Sequence, residues 1–130
     1  MTVVVDEDMT ASHVGSGAVA VLATPQLVAL VERVAVALLD AALPGGTTSV
    51  GASVAIDHLA PTPPGAEVTA TVRVEQIEGH AVRFSFVASD PAGEVARGAH
   101  VRVLVDRASF EQRALGRTQR THPGPDDRVR

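Results

Sequence analysis

The sequence predicts an α+β domain in which one long, largely apolar helix is wrapped by an antiparallel sheet. Two observations carry this. A single stretch over 24–43 has helical apolar spacing, and everything after it up to about 106 alternates with period two between turn sequences. At 130 residues the chain has room for one core.

Residues 14–22 can supply a short strand ahead of the helix. Thr24 reads as the helix N-cap and Pro25 as its first turn, where a missing N–H costs nothing. Leu27, Leu30, Val31, Val34 and Leu38 recur on one face, and Pro44-Gly45-Gly46 ends the run. Only Ala29, Arg33 and Asp40 form an outer stripe, so the helix is apolar over most of its circumference.

In 50–58, Val50, Ala52, Val54, Ile56 and His58 are expected on one face. In 67–75 the apolar set is Val68, Ala70, Val72 and Val74, and Glu78-Gly79 reads as a turn. Val82, Phe84, Phe86 and Ala88 alternate next, and Asp90-Pro91-Ala92-Gly93 turns the chain again. The final strand, about 94–106, carries Val95, Ala99, Val101, Val103 and Val105 on one face. Beyond Phe110 the chain becomes polar and rich in Arg, Pro and Gly, which predicts a domain over 1–113 and a flexible C-terminal tail over 114–130.

Composition narrows the chemistry. Hydrophobic residues make up 45% of the chain, while Phe84, Phe86 and Phe110 are its only aromatics. There is no Lys and no Cys, which excludes a Schiff-base lysine, a cysteine nucleophile and a thiolate zinc site. A net charge of −4 argues against nucleic acid as a partner. The acidic N-terminus does not resemble a signal peptide, and no apolar run approaches the ~20 residues of a membrane span. A cytoplasmic protein is the expectation. Gly15-Ser16-Gly17 lacks the rest of a dinucleotide fingerprint, and no phosphate-binding loop, zinc-protease or serine-hydrolase motif is present. Nothing proposes a metal or a cofactor.

The histidines differ in context. His13 and His122 have no supporting pattern, and His80 adjoins a turn glycine. His100, opposite Val101 and Val103, reads as a surface or interface residue; the Arg residues over 97–113 read as a solvated strand face. His58 ends a strand on its apolar side, which suits either a satisfied core histidine or a general base at a pocket edge. Glu32 has Val28, Val36 and Leu39 as helical neighbours, so it needs a partner, such as an Arg at a subunit interface, or a cavity to line. Thr24 and Glu32 lie eight positions apart, roughly 12 Å along a helix. If both act on one small group, the site is shared between subunits.

The segments "VGSGAVAVLATPQLVALVERVA", "SVGASVAIDHLAPTPPGAEVTATVRV" and "GAHVRVLVDRASFEQR" together resemble the hot-dog-fold thioesterases related to fluoroacetyl-CoA thioesterase, over roughly residues 9–113. The resemblance implies a hot-dog fold with about five strands and a homodimer with active sites at the subunit interface. It implies hydrolysis of acyl-CoA thioesters with no cofactor. It also implies a catalytic Thr24, Glu32 and His58, with Gly51 offering its backbone near the thioester carbonyl. One departure stands out: the family's fluorine discrimination is associated with an aromatic lid, and this chain has no aromatic before Phe84. The expectation is therefore a thioesterase not specialised for fluoroacetyl-CoA, with an aliphatic acyl pocket. The alternatives are a non-catalytic hot-dog module that binds acyl groups or other ligands, and a structural dimerisation domain.

Overall fold

The computed structural model describes residues 1–119; the end of the expected tail, with His122, lies outside the described residues. A helix α2 (Thr24–Asp40) lies against a curled five-stranded sheet, the hot-dog arrangement. The strands are β1 (Thr2–Val4), β2 (Thr47–His58), β3 (Glu67–Glu78), β4 (Ala81–Asp90) and β5 (Gly93–Asp106). They are ordered β1-β3-β4-β5-β2 with every pairing antiparallel. A short helix α1 (Ala11–Val14) precedes α2, and α3 (Arg107–Thr118) follows β5.

Apolar spacing along α2 sets its packing. Leu27, Leu30, Val31, Ala35 and Leu39 are buried, against Val68, Ala70, Phe86, Ala88 and Ala96 near its start and Val82 and Phe84 near its end. Each such Leu or Val contributes about 1.5–3 kcal/mol by leaving water. The buried ridge runs through Leu39 rather than Leu38, which is 46% exposed. The helix ends at Asp40, a little before Leu43, whose N–H still bonds to the Leu39 carbonyl.

Several expectations are corrected. Residues 14–22 form no strand: they include the end of α1 and a loop held by one bridge, Thr10 to Leu22. The fifth strand is instead β1, at the sheet edge beside β3. Thr24 is the first helical residue and does not cap; Ala23 occupies the cap position without a side-chain bond. β5 is followed by α3, Arg107–Thr118, so residues 114–118 are helical where the flexible tail was expected to begin. Asp106 caps α3, accepting from the Ser109 N–H and hydroxyl, and these bonds hold its carboxyl below the usual carboxylate range. A lowered value means the cap is complete above the usual range and is lost as pH falls through the folded value.

The strand faces depart most where bulges intervene. In β2, Gly51 pairs with Arg102 and Ser53 with Val101, so Ala52 is an extra residue. Ser49 and Gly51 therefore face α2 before the bulge, and Val54 and Ile56 after it. Val50 and Ala52 leave the expected face. In β5 a second irregularity near Val95 leaves Ala96, His100 and Arg102 on the buried side, with Val101, Val103 and Val105 only partly covered. Gly98 is required there: a Cβ would overlap the Ala55 carbonyl oxygen and come within 2.7 Å of Phe86 Cζ. Among the described residues no helix is long and apolar enough to cross a membrane.

Candidate active site

Two groups of polar side chains stand out, at different places along α2. At its start, the Thr24 hydroxyl lies 2.8 Å from His58 Nδ1. The first turn of α2 places Thr24, and the end of β2 places His58. The other imidazole nitrogen, Nε2, is buried and has no hydrogen-bond partner. An unpaired buried nitrogen is costly, which sets His58 apart from the other described polar side chains. Beside His58 lies a hollow of about 210 Å³ lined by Val21, His58, Leu59, Ala60 and Pro61. A satisfied core histidine would have a partner on both nitrogens, and within the described residues His58 has one only on Nδ1.

Two turns along the helix, Glu32 reaches over the sheet. Its Oε2 accepts from Arg102 Nη1 at 3.3 Å and lies where Gly51 leaves room: a Cβ on Gly51 would sit 2.6 Å from that oxygen. Glycine at 51 is thus a condition for the carboxylate to lie against β2. The Glu32 side chain is 40% exposed, whereas that of Arg102 is 6% exposed. Arg102 is further held by Nε donating to Ser49 Oγ at 2.8 Å and Nη2 donating to the Ser49 carbonyl at 3.1 Å. A cleft of about 520 Å³ opens here, lined by Ala29, Glu32, Arg33, Val36 and Arg102 among others.

The pair Thr24–His58 and the pair Glu32–Gly51 are each brought together, but not with one another. Thr24 and Glu32 belong to one continuous helix, about 12 Å apart along its axis. The hollow beside His58 and the cleft beside Glu32 share no lining residue. Glu32 does find an arginine, but in its own chain.

Arg102 and His100 were misplaced by the alternation of β5. His100 is fully buried, and Arg102 nearly so, behind Gly51. One signal pointed to a cation: a half-buried carboxylate needs one within reach. Which arginine supplies it depends on β5 lying beside β2, a pairing that the order of the strands along the chain does not suggest. A further hollow along α3, lined by Phe110, Arg113 and Arg117, offers no comparable constellation. Among the described residues no three His, Asp or Glu side chains are grouped to hold a metal ion.

Comparison with known proteins decides the family. Residues 5–108 match the profile of the fluoroacetyl-CoA-specific thioesterase (FlK) family. The chain belongs to this family. Across 98 residues it is 31% identical to the fluoroacetyl-CoA thioesterase of Streptantibioticus cattleyicolor, covering 75% of this chain and 70% of that one. Among solved structures, a single-substitution variant of FlK in complex with fluoroacetate and CoA superposes with a TM-score of 0.86 at 28% identity, covering 91% of this chain and 97% of the other. A hot-dog-like protein from Thermanaerovibrio acidaminovorans superposes with a TM-score of 0.84 at 34% identity, over 90% and 87% of the two chains. This FlK-family membership agrees with the fold and places the chain in the thioesterase superfamily.

Proposed function

We propose that this chain is an acyl-CoA thioesterase that works as a homodimer and hydrolyses its substrate to a free acid and CoA. The observation that carries the reading is the Thr24–His58 pair, whose second imidazole nitrogen, Nε2, is buried and unpaired. A carbonyl under attack needs a nucleophile, a base to take its proton and a donor for the developing oxyanion. His58 supplies the base. Its two tautomers correspond to two routes. With the Thr24 O–H donating to Nδ1, the threonine oxygen attacks, an acyl-enzyme forms, and water then cleaves its ester to give the free acid and restore the threonine. With Nδ1–H donating to Thr24, Nε2 takes a proton from a water that attacks directly. In both, the C–S bond breaks as the proton returns to the CoA sulfur. Glu32 orients the attacking group, and the backbone at Gly51 lies beside the carbonyl oxygen.

Two features support the homodimer reading. β2 is a 12-residue strand at the sheet edge, bonded on one side only, and such an edge invites pairing with another chain. The half-site at Thr24–His58 and the half-site at Glu32–Gly51 are separated within one chain, and a two-fold partner completes both at once. A thiol-release assay over a panel of acyl-CoAs tests the activity. Release of CoA is expected, and a protein that binds acyl-CoA without releasing it would be an acyl-binding module instead.

Two outcomes follow for variants and substrates. Gly51→Ala is expected to push the Glu32 carboxylate away from β2 and lower kcat on the order of 100-fold, the usual consequence of about 1 Å of misplacement. The melting temperature should change little, since Gly51 is exposed; wild-type turnover in this variant would remove Glu32 from the site. The substrate preference rests on the aromatics. Phe84 and Phe86 are buried in the core and Phe110 lies on α3, so none lies in the segment leading into α2. Fluoroacetyl-CoA and acetyl-CoA are expected to have kcat/KM values within about tenfold of each other. A strong preference for the fluorinated substrate would contradict this.

A further inference from the structure

The buried His100 takes no part in the chemistry above, yet both its ring nitrogens are committed. Nδ1 lies 2.8 Å from the Ser53 carbonyl, which can only accept, so Nδ1 carries the proton. Nε2 lies 3.1 Å from Arg102 Nη1, which can only donate, so Nε2 accepts. The two bonds together fix a neutral imidazole in one tautomer. Its ring stacks on Phe84, with centroids 6.0 Å apart, and its Cε1 would lie 3.6 Å from a Cβ on Gly51. The charged groups facing it are Arg102 on its own strand and, through Arg102, Glu32 on α2.

We propose that His100 is a positioning residue that fixes the Arg102 guanidinium and, through it, the Glu32 carboxylate. Ser49 anchors the Nε and Nη2 side of the guanidinium, and Nη1 is left to bridge His100 and Glu32. The Nη1 bond to Glu32, at 3.3 Å, is longer than a strong charge-assisted bond and opens to solvent. The bond to His100 is shorter and fully enclosed. It is therefore the His100 acceptor that keeps Nη1 in place as Glu32 engages substrate. Packing against Phe84 alone would need neither nitrogen. The effect on turnover rests on the proposed thioesterase function; the holding of Arg102 does not.

Two conservative variants separate the roles of the nitrogens. The amide of His100→Asn reaches the Nδ1 position and keeps the donor to Ser53. The amide of His100→Gln reaches the Nε2 position and keeps an acceptor for Arg102. In acyl-CoA hydrolysis, H100N should lose on the order of 100-fold in kcat with KM within about twofold, and H100Q should recover most of the loss. In ¹⁵N NMR of the whole protein, Arg102 should show a slowly exchanging Nε–H and separate Nη1 and Nη2 resonances. These should persist in H100Q and average in H100N. Wild-type turnover in H100N, equal impairment of both variants, or an unchanged Arg102 signature in H100N would overturn the proposal. If the wild-type protein released no thiol, the thioesterase reading would fail, and the NMR comparison alone would decide whether His100 holds Arg102.

Discussion

His58→Ala is expected to lower kcat for acyl-CoA hydrolysis by about 10²–10⁴-fold, the range lost when a positioned general base is removed. The fold should survive, because the only hydrogen bond its imidazole makes within the described residues is to Thr24 at the helix surface. Circular dichroism and the melting temperature check that point while thiol release measures the rate. Thr24→Ala then distinguishes the routes. If the threonine oxygen attacks, its removal should cost as much as that of His58; if water attacks, Thr24→Ala should cost much less. Retention of near-wild-type turnover in His58→Ala would remove the imidazole from the mechanism.

Arg102→Ala should have the largest effect on stability. Its side chain is 6% exposed and satisfies Ser49 Oγ, the Ser49 carbonyl, His100 Nε2 and Glu32. Truncation leaves these acceptors without a donor, the enclosed ones without water, and a cavity where the guanidinium packed. Breaking a buried ion pair costs about 3–5 kcal/mol; with Glu32 40% exposed and able to hydrate, about 2–4 kcal/mol is expected. Turnover should fall as well, since Glu32 loses its anchor. Glu32→Gln keeps an oxygen that can accept from Nη1 and should cost under half as much stability. Urea unfolding of both variants checks the ordering. A loss below about 0.5 kcal/mol for Arg102→Ala would mean that the network contributes little to the fold.

The parts of the fold that were legible in the sequence are those with uninterrupted period. β4 is the clearest: Val82, Phe84, Phe86 and Ala88 alternate without a break and are all buried. α2 was legible for the same reason, to within a few residues of its end. The bulge at Ala52 was not, because Gly, Ala and Ser on either side of it give no contrast between the two faces. In β5 the alternation was read with the wrong face inward. Apolar Val101 and Val103 suggested the core side, but the space behind Gly51 is filled by a polar network that includes Arg102 and His100. Inverting the pattern there is tolerable only because His100 and Arg102 are bonded to Ser49, Ser53 and Glu32. β1 was missed because three residues carry no periodicity. Of the candidate site, Thr24, Glu32, Gly51 and His58 were legible as residues, through their resemblance to the family. Their division into two clusters was partly legible in the helix pitch. The supporting arginine and histidine required the register of β2 against β5.

The claim that one active site takes Thr24 and His58 from one subunit and Glu32 from the other is tested most directly by subunit mixing. His58→Ala and Glu32→Ala proteins, each inactive alone, are unfolded together, refolded and assayed for thiol release. In a two-fold dimer formed at random, half of the molecules are mixed, and each mixed molecule carries one intact site. Activity should therefore return to about a quarter of the wild-type value. A refolded mixture that stays as inactive as its parents would place all three residues in the service of a single chain and contradict the shared site.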